Sequence, residues 1–199
     1  QLFQSLIPGL RASRFDLIAA GMYITPARCK QVLFTDPHYQ LPDTLLVLAG
    51  NPKQLRSYAD IANNPEIKLA IMSGTVNLAY AREAGIKDSQ IVQVPDTTSQ
   101  LQAVRTGRAD AAIGTQLTMK GLADKAGDQV EATTDFKDDP AHTGYGALAF
   151  RPEDKALRDA VNAELKKWLG SDEHLETVAP FGFDRSNITD KTAEELCSA

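Results

Sequence analysis

Two stretches of this chain repeat one plan, and the repeat limits what it can fold into. LRASRFDLIAAG at 10–21 and VRTGRADAAIG at 104–114 share an order of features. Each has a helix end, a small residue, Arg, one spacer, Asp, and an apolar strand closing on Gly. Any helix–turn–strand unit can look like this. Read as a true repeat, it means two lobes built on the same α/β plan. Gly21 and Gly114 would then mark the carboxyl ends of their strands, where open α/β sheets take ligands. The expectation is two facing sheets with a cleft between them.

The rest of the chain fits that plan. Periodicity predicts helices at 1–12, 55–63, 76–84, 98–107, 116–125 and 152–169, with shorter helical stretches at 26–32, 171–179 and 189–197. Strands are expected at 15–20, 44–49, 68–72, 91–94, 110–114 and 146–150. Their alternation gives an α/β fold with largely parallel pairing and right-handed crossovers. TLLVLA would carry the chain out of the first lobe and YGALAF would carry it back, side by side as a hinge. Lobe one would comprise 1–47 and 146–199, and lobe two 48–145. The opening QLFQSLIPGL, with Leu2, Leu6 and Leu10 at helical spacing, reads as the middle of a helix, so the chain is expected to begin inside a domain.

Composition excludes several functions. A formal charge of −5 with interspersed signs argues against a nucleic-acid partner, since phosphate binding wants a basic face. No apolar run approaches the roughly 18 residues of a membrane span. His38, His142 and His174 are scattered without ligand spacing, and two cysteines are too few for a zinc site, so no metal is expected. No nucleophile elbow, phosphate loop, CxxC or HExxH motif is present. No catalytic residue and no cofactor are therefore assigned. Cys29 and Cys197 admit two readings, buried thiols in a reducing compartment or a long-loop disulfide in an exported protein.

Two features point to an anionic ligand group. Arg28 follows the Thr25–Pro26 turn and Gly21, which would set a planar donor fork at the mouth of the first sheet. A surface helix arginine is the plain alternative. Ser73-Gly74-Thr75 follows an apolar strand and precedes a helix, where Ser or Thr caps the helix and backbone N–H groups can take an anion. Together they suggest a small carboxylate ligand. Tyr23, beyond the strand end, and Phe3, off the leucine row of its helix, are candidate exposed rings that could face a cation.

GMYITPARCKQVLFTDPHY resembles the arginine-bearing segment of type II solute-binding proteins of ABC transporters. The rest follows in the same order: TLLVLAG, SYADIAN, the SGT turn, GRADA, YGALAF, and RDAVNAELKKWLGSDEHLETVAPFGF. The resemblance implies a two-lobed fold with two crossing hinge strands, lacking here the family's opening strand–loop–helix of lobe one. It implies a periplasmic or surface-tethered protein, made with a removable signal peptide, that hands a small solute to membrane permease subunits. Relatives hold an α-amino group with an Asp in the strand after the GR-x-DA run; in this sequence that position is Thr115. A free ammonium would lose its usual partner there.

IPGLRASRFDLIAAGMYITPARC, SYADIANNP and the cysteine near the C-terminus resemble the members of that family that recognise ectoine and hydroxyectoine. These are cyclic zwitterions whose positive charge is spread over an amidine ring, a cation suited to aromatic faces. The resemblance implies Phe3 and Tyr23 as walls of an aromatic box and Arg28 as the carboxylate fork. It further implies Thr75, in the turn begun by Ser73, as a second carboxylate ligand and the Gly21 carbonyl as acceptor of a ring N–H. It also favours a Cys29–Cys197 disulfide. Two alternatives stand beside it. One is the same fold binding a polar amino acid or another zwitterion; the other is a cyclohexadienyl dehydratase-like enzyme.

Overall fold

Apolar alternation and turn residues resolve, in a computed structural model describing residues 1–198, into the following elements. A 3-10 turn (Phe3–Ser5) leads into α1 (Leu6–Arg11), then β1 (Ile18–Tyr23), α2 (Pro26–Cys29), β2 (Leu33–Phe34), β3 (Tyr39–Leu41) and β4 (Asp43–Leu48). There follow α3 (Tyr58–Ala62), β5 (Leu69–Met72), α4 (Asn77–Glu83), β6 (Ile91–Val94), α5 (Thr97–Arg105), β7 (Ala111–Thr115), α6 (Gln116–Ala126) and β8 (Val130–Ala132). Then come β9 (Gly144–Phe150), α7 (Lys155–Trp168), α8 (Asp172–Val178) and α9 (Ala193–Ser198). The chain forms two units. Unit one holds Gln1, Ser5–Leu41 and the chain from Gly144 onward; unit two holds Leu2–Gln4 and Pro42–Thr143. The crossings thus fall after Leu41 and Thr143, whereas the sequence reading sets them at 47 and 145.

Unit two is a sheet in the order β6-β5-β7-β4-β8. Side chains alternate across it, and both faces are buried. Leu45, Val47, Leu69, Ile71, Ala111 and Ile113 pack with Tyr58 and Ile61 of α3 and Ala81 of α4. Leu46, Ala70 and Ala112 pack the other way against Ala103 and Val104 of α5 and Met119 of α6. Two-sided burial explains why these strands read as continuous apolar runs. The expected parallel pairing holds only for β5 with β6 and β7; β4 runs antiparallel to β7 and β8. The reason is connectivity. β4 follows directly from β3 of unit one, so no crossover helix constrains its direction.

Unit one corrects the expectation further. Its sheet, β1-β9-β2 with β3 also on β9, is antiparallel at every pair. The residues at which the chain leaves and re-enters unit one, Leu41 and Gly144, are register partners of β3 and β9, so the two crossings do run side by side there; β4 itself pairs within unit two, with β7 and β8. Gly21 does not end its strand. β1 continues to Tyr23, and the register slips between Ile18, opposite Ala149, and Met22, opposite Ala147. Gly21 lies in this bulge at φ +62°, a conformation that favours glycine. Gly114 is likewise interior to β7, which ends at Thr115.

The C-terminal helices are fastened to unit one by charge and by sulfur. Asp36 Oδ1 accepts the Ala193 N–H (2.9 Å), and Oδ2 meets Lys166 Nζ (2.9 Å) and Asn162 Nδ2 (3.1 Å). Burial would raise this carboxyl, but those donors, the Ala193 N–H first, hold it below its usual range. Cys29 of α2 and Cys197 of α9 form a disulfide, with Cα atoms 5.7 Å apart, closing a loop of 168 residues. Constraining so long a loop stabilises the fold by roughly 2–5 kcal/mol. Cys197→Ser is therefore expected to lower Tm by on the order of 10 °C. Calorimetry of the variant, and of wild type with and without reductant, checks it.

Two histidines meet water poorly. Burial, with His174 nearby, pushes His38 down to about 4, and His38 Nδ1 has no hydrogen-bond partner. His174 is also pushed down by burial; its Nδ1 accepts the Gly170 N–H, and its ring meets the edge of Trp168. A base whose folded pKa is depressed takes up its proton in the unfolded chain first. Stability should therefore be full above pH ~6.5 and fall as pH drops toward 4, by up to about 3 kcal/mol from His38. Urea unfolding at pH 7, 5.5 and 4.5 should show this slope, and His38→Leu should flatten it.

Candidate functional site

The Tyr23–Arg28 turn is built by its own sequence. Thr25 caps α2, its Oγ1 accepting the Arg28 N–H (3.3 Å), and Pro26 occupies the first turn, where no N–H is needed. This short helix brings the guanidinium back over the turn, and Arg28 Nη1 donates to the Tyr23 carbonyl at 2.8 Å. One donor of the fork is thereby fixed, which sets the plane of the others. The disulfide of the next residue, Cys29, ties the same helix to α9.

Tyr23 itself is not the exposed ring that the sequence suggests. It is 8% exposed, because β1 extends past Gly21 and carries the residue into the sheet opposite Gly146. Its ring lies across Gly144, where a Cβ would come within 2.0 Å of it. The Gly21 carbonyl accepts a hydrogen bond from Tyr39 Oη at 3.0 Å. Gly21 and Tyr23 at the end of β1 and Arg28 in α2 thus lie on one short continuous segment of unit one.

In unit two, Ser73-Gly74-Thr75 does form a tight turn after β5, but its hydroxyls do not cap a helix as expected. α4 starts at Asn77, with Val76 at the cap position and no side-chain cap. Thr75 Oγ1 donates backward to the Met72 carbonyl (2.8 Å), so the threonine closes the strand end instead. The Ser73 N–H is given to the Val94 carbonyl (2.9 Å). Gly74, at φ +86°, lets the Gln4 backbone approach; a Cβ there would lie 2.7 Å from Gln4 Cα. The segment carrying Phe3 therefore packs with unit two, on this turn, and not with the first lobe to which its sequence position assigns it.

Thr115 ends β7, and its hydroxyl donates to Thr118 Oγ1 (2.7 Å). Its cross-strand partner is Asp43, so both side chains leave the same face of the sheet. Asp43 is 5% exposed, and Asn77 Nδ2 donates to its Oδ2 at 2.6 Å while also reaching Tyr58 Oη at 3.3 Å. Burial, opposed by the Asn77 bond and reinforced by Asp43, raises the Tyr58 phenol far above its ordinary value. Sequence reasoning passed over this group. Its one signal is Asp43 itself, an acid standing between Pro42 and the apolar run of β4.

Comparison with known proteins agrees with this fold. Residues 1–181 match the family of bacterial extracellular solute-binding proteins, family 3. A relative from Sinorhizobium fredii, named "Probable amino-acid ABC transporter periplasmic-binding protein y4tE", is 38% identical over 98% of this chain and 67% of its own length. ABC transporter arginine-binding protein 1 of Escherichia coli is 29% identical over 82% of this chain and 64% of its own. The chain thus spans about two thirds of these relatives. Among solved structures, EhuB in complex with hydroxyectoine superposes with TM-score 0.91 at 35% identity, over all of this chain and 77% of that one. The ancestral amino acid-binding protein AncCDT-1, a precursor of cyclohexadienyl dehydratase, gives 0.78 at 28% identity over 91% and 75%. The chain belongs to the bacterial extracellular solute-binding proteins of family 3.

Proposed function

We propose that this protein captures a small zwitterion outside the cytoplasm and delivers it to the permease of an ABC importer, with ectoine or hydroxyectoine as the ligand. The observation that carries the reading is the Arg28 fork, held by the Tyr23 carbonyl at the end of β1, the strand that also carries Gly21. In the proposal the guanidinium takes the ligand carboxylate bidentately, with Thr75 and the Ser73 turn as the further carboxylate ligands that the resemblance implies. Tyr23 and Phe3 flank the delocalised cation, whose diffuse charge is weakly hydrated and favours ring faces. The Gly21 carbonyl accepts a ring N–H. Thr115 leaves that position without the acid that would hold a compact ammonium. The resemblance to a hydroxyectoine complex across the whole chain supports the same reading.

A second reading has its own observation. Asp43 lies opposite Thr115 on the neighbouring strand, so an acid is still delivered to that sheet face. A polar amino acid could use it, and relatives with arginine in their names share the family. Among the described residues no helix is long and apolar enough to cross a membrane, and the proposed location is periplasmic or tethered at the outer face. Binding without turnover is the proposed activity; the dehydratase alternative has as its observation the likeness to an ancestral amino acid-binding protein named as a precursor of cyclohexadienyl dehydratase.

A thermal-shift and calorimetry panel on full-length protein decides the ligand. Ectoine or hydroxyectoine is expected to raise stability by about 2.7 kcal/mol at a hundredfold excess over Kd, with arginine and glutamine inert. The reverse pattern overturns the assignment. Arg28→Ala should then remove a charged bidentate pair and weaken binding by roughly 3–5 kcal/mol. Affinity within about twofold of wild type would take Arg28 out of the site.

A further inference from the structure

The Gly21 carbonyl presents a physical difficulty if it is to act as an acceptor. Glycine is the residue whose backbone turns most freely, so a carbonyl on it has the least intrinsic direction. Here that peptide is also in a bulge, where the ladder with β9 slips and fewer strand bonds hold it. Something else must fix where the oxygen points.

Tyr39 meets that need. Its Oη donates to the Gly21 oxygen at 3.0 Å, across 18 residues of chain. Its ring is held in place on several sides. Pairing of β3 with β9 sets Tyr39 opposite Gly146, and the ring lies so close over that glycine that a Cβ would fall 2.1 Å from it. His38 meets it edge-on with ring centroids 5.1 Å apart, and Phe183 does so at 5.2 Å. Gly21 needs its missing side chain for the same reason, since a Cβ there would stand 2.5 Å from Tyr39 Oη. Two glycines on two strands are thus shaped around one phenol.

Resting on the zwitterion-binding reading above, we infer that Tyr39 is a positioning residue that aims the Gly21 carbonyl at an N–H of the bound ligand. A carbonyl oxygen has two lone pairs. The phenol occupies one and fixes the plane of the group, leaving the second direction defined for a ligand donor. Fixing it before binding avoids the cost of ordering a glycine peptide during binding. Tyr39 acts through Gly21 and needs no contact of its own with the ligand. The specificity consequence is that ligands carrying an N–H on the cationic group gain from Tyr39, and fully N-alkylated cations do not.

The test is Tyr39→Phe in full-length protein, which keeps the ring over Gly146 and removes the hydroxyl. Hydroxyectoine binding, measured by calorimetry, is expected to weaken about tenfold, while Tm of the ligand-free protein stays within a few degrees of wild type. The Gly21 carbonyl ¹³C resonance should move on adding hydroxyectoine to wild type, and move less in Tyr39→Phe. Affinity within about twofold of wild type overturns the inference. So does a Gly21 resonance that ignores the ligand in wild type, or one that responds equally in both proteins while Tm and affinity fall together. If wild type binds another N–H-bearing zwitterion and not hydroxyectoine, the ligand assignment falls. The same comparison run with that ligand then decides the role of Tyr39 separately.

Discussion

The bond from Arg28 to the carbonyl of Tyr23 is the constraint on which the rest of unit one depends. A guanidinium on a long side chain loses much conformational freedom when it is ordered, and that cost must be met before a ligand arrives if binding is to be tight. Here it is met inside six residues. Thr25 and Pro26 start a helix of a single turn, the turn folds the side chain back, and the carbonyl holds it at 2.8 Å. So short a helix could not stand alone. It stands because its last residue is bonded to Cys197 and because Ile24 donates its N–H to the Tyr145 carbonyl at its entry. The disulfide, and the Asp36 bond that holds the start of α9, are therefore part of how Arg28 is positioned.

The same economy governs β9. Gly144 and Gly146 are small because Tyr23 and Tyr39 lie across them, and Ala147 and Ala149 behind them are fully buried. Read as sequence, YGALAF shows only small residues before an apolar strand. Read as structure, the glycines are the seats of two rings contributed by two other strands. Replacing either would displace a tyrosine, and through Tyr39 the Gly21 carbonyl also.

What the sequence made legible follows from this difference between local and non-local causes. The alternation of apolar runs fixes element type, and the α/β class follows from it. Arg28 was legible because cap, proline and arginine lie within four residues and act on one another directly. The strand directions of unit one were not, because β1, β2 and β3 all take their direction from β9, more than a hundred residues later. Tyr39 was missed for the same reason: its partners are Gly21 and Gly146, neither of them near it in sequence. The turn at Ser73–Thr75 was found but misread, since a hydroxyl before a helix usually caps it, and only the closeness of the Met72 carbonyl sends Thr75 the other way. The cysteine pair gave no geometry of its own; the family resemblance supplied the pairing that the structure then placed.

Thr115 and Asp43 show how a sequence departure and its structural context must be weighed together. Where the resemblance leads one to expect an acid, a threonine reads as a lost charge. Across the strand pair, a carboxylate stands on the same face, one strand over, buried and bonded to Asn77. A carboxylate moved by one strand is not equivalent to the one it replaces. Adjacent strands are about 4.8 Å apart, so the charge is displaced by more than a hydrogen-bond length, and a compact ammonium cannot keep its other contacts and follow it. In unit two, then, the acid at this sheet edge is Asp43 on β4, already bonded to Asn77, and not a residue of β7.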